Sequence, residues 1–257
     1  MNIIGIIPAR LASSRFPNKP LADILGMPMI GHCYHRSNMS DILNEVYVAT
    51  CDKEIYDFVE STGGKAVMTA DTHERASDRT AEALLKIEQA TGKKVDIVVM
   101  LQGDEPMITP EMIRAAVQPL IDDKSIKVSN LYADIKTVEA FEDPNEVKVV
   151  VDKKGFALYF SREPIPSRKK GVLEVPMYKQ VCIIPFDRDF LLEYNNIEQT
   201  PYEIIESVDM MRILENGLKV KMIYTEKESY AVDTPEDLAH VIEVMKKDPL
   251  INKYLRK

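Results

Sequence analysis

Residues Ile3-Ile4-Gly5-Ile6-Ile7-Pro8-Ala9 form an unbroken apolar run that stops abruptly at a polar loop. That loop, Arg10 to Lys19, carries the cations Arg10, Arg15 and Lys19 and the serines Ser13 and Ser14. A strand buried on both faces reads this way, because helices cover each side of a parallel sheet. The chain that follows such a strand lies at its carboxyl end, where open α/β sheets bind ligands. Arg10, Arg15 and Lys19 are therefore placed to gather around something strongly anionic, most simply a nucleoside triphosphate. The plainer alternative is a solvated basic turn. A formal charge of −8 favours the first reading, since the chain has little positive charge to place idly.

The first two-thirds of the sequence alternates strand and helix signals. An amphipathic helix is predicted from Pro28 to about Met39, then a strand at 45–50, and a helix over 53–62 that stops at Gly63-Gly64. A third strand covers 65–69, and a helix over 77–90 places Ala83, Leu84 and Ile87 on one face. The run 96–101 is a fourth buried strand, followed by a helix with Pro110 in its first turn. Such alternation calls for a parallel sheet covered by helices. The rhythm then changes. Strands at 127–135, 147–152 and 156–161 include a hairpin across Lys153-Lys154-Gly155, so an antiparallel extension is expected. A loop at 164–172, a strand at 181–186, helices at 187–195 and 201–216, and a strand at 219–224 follow. Thr234 caps a final helix with Pro235 at its first position.

Composition excludes several classes. The acidic balance argues against a nucleic-acid binder, which normally shows a basic face. No apolar stretch approaches the ~20 residues that cross a bilayer, and the N-terminus lacks signal-peptide order, so a cytoplasmic location is expected. Cys33, Cys51 and Cys182 are widely spaced and read as reduced thiols, without a disulfide framework or zinc site. His32 and His35 share one predicted helix as helix-facing or core residues. No Walker-type loop, GxGxxG or GxSxG is present.

Three other places carry chemistry. Asp104, in Gln102-Gly103-Asp104-Glu105-Pro106, follows the fourth strand and is either a magnesium ligand or part of a simple turn. Asp233 precedes the last helix, as a cap-region residue favoured by the helix dipole or as a second carboxylate on the same metal. The segment 72–79 is either a solvated helix start, capped by Ser77 or Asp78, or a place from which Arg79 reaches a ligand.

Four collinear segments, IIPARLASSRFPNKPLADILGMPMI, LQGDEPMI, DPNEVKVVVDKKGFALYFSREPIP and AVDTPEDL, resemble the 3-deoxy-manno-octulosonate (Kdo) cytidylyltransferases, nearly end to end. The resemblance implies an α/β, Rossmann-like nucleotidyltransferase fold in three layers, with a mostly parallel sheet and a small antiparallel α+β extension. It implies one domain over 1–257, with 128–190 as an acceptor-binding and dimerisation subregion. It also implies Mg²⁺, a homodimer, and attack by an acidic acceptor on the α-phosphorus of CTP, for lipopolysaccharide or capsule synthesis. Carried onto this sequence, Arg10, Ser13, Arg15 and Lys19 hold the triphosphate, and Arg79 and Gln102 line the nucleotide site. Asp104 and Asp233 hold the metal, and with Arg10 and Lys19 they form the catalytic set. Arg162 pairs with the acceptor carboxylate, and Gln180 and Asp209 belong to the acceptor pocket. That pocket departs from the family pattern. Gln180 and Ile184 replace a histidine and a tyrosine, Asp209-Met210 replaces Glu-Gln, and Arg75-Ala76-Ser77 replaces Ser-Gly-Thr. Such changes are expected to shift preference away from the eight-carbon sugar acid.

Overall fold

The computed structural model describes residues 1–12, 16–172 and 174–255. They form two compact units, one of residues 1–114 with 229–257 and one of residues 115–228. The region expected as an extension, 128–190, falls inside the second.

In the first unit, β1 (Ile3–Ala9) is buried along all seven residues, as its apolar run requires. A short 3-10 turn, Lys19–Leu21, follows the basic loop. The small hairpin β2 (Asp23–Ile24) and β3 (Met27–Pro28) then leads into α1 (Met29–Asn38). Next come β4 (Glu45–Thr50), α2 (Lys53–Ser61), β5 (Ala66–Met68), α3 (Ala76–Thr91) and β6 (Ile97–Leu101). Strands in this unit lie in the order β6-β1-β4-β5, all parallel, with Ile6 opposite Tyr47 on one side and Met100 on the other. Ile6, Ile7, Val48, Val98 and Leu101 are fully buried, along with Ile30 of α1 and Leu84 of α3. Each such side chain contributes about 2 kcal/mol of apolar burial. Because the strands are parallel, the segments after β1, β4, β5 and β6 all emerge at one end of the sheet. The boundary between units falls within α4 (Pro110–Asp122).

The second unit contains β7 (Ser129–Asp134), α5 (Val138–Glu142), β8 (Lys148–Val151), β9 (Ala157–Ser161), β10 (Tyr178–Val181) and β11 (Ile183–Asp187). It continues with α6 (Arg188–Asn195), α7 (Pro201–Glu206), α8 (Met210–Glu215) and β12 (Lys221–Tyr224). Its sheet runs β12-β7-β10-β8-β9, antiparallel except for β12 on β7. The expected β8–β9 hairpin turns at Gly155, whose φ of +75° suits glycine. The chain then returns to the first unit with α9 (Pro235–Met245) and a 3-10 turn, Pro249–Lys253.

Four sequence expectations need correction. The helix expected over 201–216 is broken at Ser207, which sits in the left-handed region at φ 51°. Next to the break the Glu206 carboxylate accepts from the Ser161 hydroxyl and the Arg162 backbone N–H. The strand expected over 181–186 is two strands separated at Cys182. Neither Ser77 nor Asp78 caps α3: Arg75 occupies the cap position without a side-chain bond, and Ser77 is fully buried inside the first turn. Helix α5 was not foreseen, and Thr137 caps it by accepting from the Ala140 N–H.

Candidate functional site

The parallel-strand ends of the first unit surround a cleft of about 380 Å³. Its walls come from Arg10 after β1, Lys19 of the 3-10 turn, residues 73–79, residues 102–104 and Asp233. Gly103 sits where a side chain would be crowded, since a Cβ there would lie 3.1 Å from the Pro8 carbonyl oxygen. The Val232 N–H donates to the Asp104 carbonyl at 2.9 Å, which fixes the segments bearing Asp104 and Asp233 side by side.

Lys19 Nζ lies 2.6 Å from Asp104 Oδ2 and 3.1 Å from Asp233 Oδ1, with its side chain only 13% exposed. Burial pulls the ammonium pKa down, but the attraction of Asp104 and then Asp233 outweighs it and holds the group above its ordinary value. Asp233 does lie in the cap region of α9, where its N–H donates to Asp237 Oδ2 at 3.0 Å, while its own carboxylate pairs with Lys19. Helix α9 is capped by Thr234, which accepts from the Asp237 N–H, while Asp237 accepts from the Thr234 N–H in a reciprocal box.

Loop 69–75 forms another wall, held by two charged residues of α3. Arg79 is 3% exposed, and its Nη1 donates to the Thr69 hydroxyl and, at 3.1 Å, to the Ala70 carbonyl. Its Nη2 is buried with no hydrogen-bond partner among the described residues, on a side chain that lines the cleft. A buried donor left unpaired costs about 1–3 kcal/mol, so this atom is suited to a ligand acceptor. Glu82 accepts from the Ala70 N–H at 2.9 Å, from Lys86 and from His73 Nε2. Burial raises its carboxyl, but the Lys86, Ala70 and His73 bonds win and bring it to about 2. The His73 carbonyl in turn accepts from Arg10 Nη1 at 3.4 Å.

The structure thus brings Arg10, Lys19, Arg79, Gln102, Asp104 and Asp233 to one cleft. Ser13 and Arg15 lie outside the described residues. Asp52, Thr69, His73 and Glu82 were not foreseen. Asp52 precedes α2 but accepts from the Leu11 N–H at 2.7 Å rather than capping its own helix, so it anchors the start of the basic loop. An aspartate just past a parallel strand was the available signal for it.

The residues expected at an acceptor pocket, Arg162, Gln180 and Asp209, lie in the second unit. Arg162 does not present a free fork for a carboxylate. Its Nε and Nη1 donate to the carbonyls of Glu206 and Pro144 at 2.8 Å, and its Nη2 to that of Ser207 at 3.3 Å. The cause is local: the α7–α8 break leaves the carbonyls of Glu206 and Ser207 outside any helix ladder. Gln180 is half-buried on β10, and its N–H donates to the Val147 carbonyl. Asp209 occupies the cap position of α8 without a side-chain cap bond, and its carbonyl accepts from the Tyr194 hydroxyl at 3.0 Å. Ile184 and Met210 are 3% and 0% exposed, so these departures from the family pattern face the packed interior.

Among the described residues no cluster of three or more His, Cys, Asp or Glu side chains forms a metal site. Asp104 and Asp233 nevertheless fit magnesium, which usually takes one or two carboxylates and fills its other positions with water and phosphate oxygens. That Lys19 already bridges the two carboxylates shows that the place suits a cation.

A cleft at parallel-strand carboxyl ends, with cations facing a carboxylate pair, defines a nucleotide-binding α/β protein. Residues 4–226 match the cytidylyltransferase family. The chain is 42% identical to the 3-deoxy-manno-octulosonate cytidylyltransferase of Geobacter metallireducens, over 95% of this chain and 97% of that protein. It is 43% identical to the enzyme of the same name from Geotalea uraniireducens, over 96% of this chain and all of the relative. A solved structure of CMP:2-keto-3-deoxy-manno-octonic acid synthetase complexed with CTP superimposes with a TM-score of 0.88 at 37% identity, covering 96% of this chain and 99% of that one. The chain belongs to the 3-deoxy-manno-octulosonate cytidylyltransferase family.

Proposed function

We propose that this chain transfers CMP from CTP to Kdo and releases pyrophosphate, activating the sugar acid for surface polysaccharide. The observation that carries the reading is the Lys19 ammonium between Asp104 and Asp233, in a cleft that also presents Arg10 and Arg79. The relatives named for this activity and the CTP-bound neighbour support it.

In the reaction an acceptor hydroxyl oxygen bonds to the α-phosphorus, the bond from that phosphorus to the pyrophosphate oxygen breaks, and the hydroxyl proton leaves to solvent. Nucleotidyl transfer needs little covalent help, so positioning and charge stabilisation dominate. Arg10 and Lys19 hold triphosphate oxygens and offset the charge that builds on departing pyrophosphate. Arg79, with its unpaired Nη2, and Gln102 recognise the nucleoside. Asp104 and Asp233 are the residues that would hold Mg²⁺, whose chemistry when bound is neutralisation of phosphate charge.

Kdo is the acceptor proposed. With Ile184 and Met210 turned into the core and Arg162 engaged by backbone carbonyls, those three residues give no grounds for a different acid. We also propose a homodimer and a cytoplasmic location. Leu158, Tyr202, Ile204 and Ile205 of the second unit are exposed apolar residues that such a dimer would cover. No helix among the described residues is long and apolar enough to cross a membrane. The test is pyrophosphate release with each of the four nucleoside triphosphates, Mg²⁺ and a panel of sugar acids. Release confined to CTP with Kdo is expected. Silence with CTP and every acceptor would overturn the reading.

A further inference from the structure

Behind the cleft lies a buried polar cluster that the proposed reaction does not use. His32 and Arg36, one turn apart on α1, are both 0% exposed. His32 Nε2 is 2.8 Å from the Ile24 carbonyl oxygen, and its Nδ1 is 2.9 Å from the Tyr254 hydroxyl. A carbonyl can only accept, so Nε2 carries the ring proton and Nδ1 must accept from the phenol. The same phenol oxygen accepts from Arg36 Nε at 3.0 Å. Arg36 Nη2 pairs with Asp248 at 2.5 Å, and its Nη1 lies 3.5 Å from the Met107 carbonyl oxygen. The His35 ring stacks on Tyr254, with centroids 5.7 Å apart and planes 16° from parallel.

Three chain segments meet at this cluster. Ile24 closes the segment that begins with Lys19, and Met107 belongs to the loop that begins after β6 and bears Asp104. Asp248 and Tyr254 follow α9, whose start bears Asp233. Lys19, Asp104 and Asp233 are thus each followed, within a few residues or one helix, by a group bonded to the Arg36–Tyr254–His32 relay. Tyr254 is not among the residues that line the cleft.

We propose that Tyr254 is a positioning residue, whose hydroxyl donates to His32 Nδ1 and accepts from the Arg36 guanidinium and thereby sets the spacing of Lys19, Asp104 and Asp233. A buried arginine and histidine are costly where apolar side chains would fit, unless every polar atom is matched. Matched, they admit one arrangement of the three segments, and small misplacement of reacting groups lowers rate steeply. The proposal rests on the transfer reaction above for its kinetic readout only.

The test is Tyr254→Phe in the full chain, which keeps the ring and its stacking and removes one oxygen. Three readouts are taken: steady-state kinetics across pH, the His32 ring nitrogen-15 shifts, and CTP affinity by calorimetry. The groups facing His32 are Arg36 and His35 on α1, Tyr254 and Asp248 from the C-terminal segment, and the Ile24 and Met27 carbonyls. In the native chain burial, with Arg36 and His35 adding to it, keeps the ring neutral down to about 4. Removing a donor to the neutral ring favours the protonated form. The expected result is a kcat about tenfold lower, with KM for CTP changed by less than about twofold. The acid limb of the rate profile moves to higher pH, and the Nδ1 nitrogen-15 shift moves as its hydrogen bond is lost while Nε2 keeps its proton on the Ile24 carbonyl. Asp248→Asn, which loosens Arg36 from the rim, is expected to give a smaller fall in kcat with the same sign. A Tyr254→Phe enzyme that melts earlier but keeps the native kcat, pH profile and Nδ1 shift would overturn the proposal and leave Tyr254 a structural staple. If the native chain shows no turnover, the transfer reading fails by itself, and the His32 Nδ1 shift still decides the relay.

Discussion

Replacing Lys19 with Met removes the ammonium that bridges Asp104 and Asp233 while keeping most of the side-chain volume. At an effective dielectric near 20, unit charges at 2.6 and 3.1 Å attract by about 6 and about 5 kcal/mol. Desolvation cancels most of that. The side chains are 13%, 30% and 24% exposed, between the fully exposed pairs worth ~0–1 kcal/mol and the buried pairs whose rupture costs ~3–5. We expect a loss of about 2 kcal/mol, seen as a melting temperature lower by roughly 4–8 °C in a chain of this size. The lysine pKa is raised in the folded chain, so its contribution is fully present below the ordinary value of 10.5 and is lost only as pH rises through the higher folded value. The gap between native and Lys19→Met melting temperatures should therefore be constant from about pH 6 to about pH 9. Scanning calorimetry at several pH values measures it. Added Mg²⁺ should narrow the gap, since a divalent ion relieves the two carboxylates directly. Turnover should fall by about 10²–10³, the usual effect of losing one charge-stabilising group. An unchanged melting temperature with turnover within about threefold of native would refute the reasoning.

Asp104→Asn keeps the shape of the site and removes a metal-binding charge; pyrophosphate release should fall by about 10³ or more, with Mn²⁺ affinity in the presence of CTP, read by electron paramagnetic resonance, falling in parallel. Arg79→Lys loses the forked donor and should weaken CTP binding by about tenfold in calorimetry, with less effect on inorganic triphosphate if the contact is to the nucleoside. His32 is held neutral by burial, with a folded value near 4 against 6.5 for the free ring, so the unfolded chain binds more protons between those values. Stability should therefore drop as pH falls from about 6.5, by up to ~1.4 kcal/mol per unit, and His32→Gln should show a shallower acid decline in urea titrations.

The parallel half of the fold was legible because its signals are local. The apolar runs at 3–9 and 97–101 and the glycine stop after α2 each report a strand or helix end without tertiary help. Asp104 and Asp233 were ambiguous because a turn aspartate and a ligand aspartate have the same sequence appearance. What the structure adds is the pairing of Val232 with Asp104 and of both carboxylates with Lys19; the Thr234 cap with Pro235 after it was already read from the sequence. What holds Arg162 in place was hidden for the opposite reason. Its partners at 144, 206 and 207 are distant in sequence, and the left-handed Ser207 that exposes two of those carbonyls leaves no mark in helix periodicity. The relay through Tyr254 was equally invisible, since its members are separated by more than two hundred residues.

The account turns on a cytidylyl transfer at the Lys19–Asp104–Asp233 cleft, and phosphorus-31 spectroscopy of the chain with CTP, Mg²⁺ and Kdo observes that transfer bond by bond. The triphosphate signals should be replaced, in equal amounts, by pyrophosphate and one new phosphodiester. Formation of CDP with inorganic phosphate, or a CTP spectrum that does not change, would contradict it.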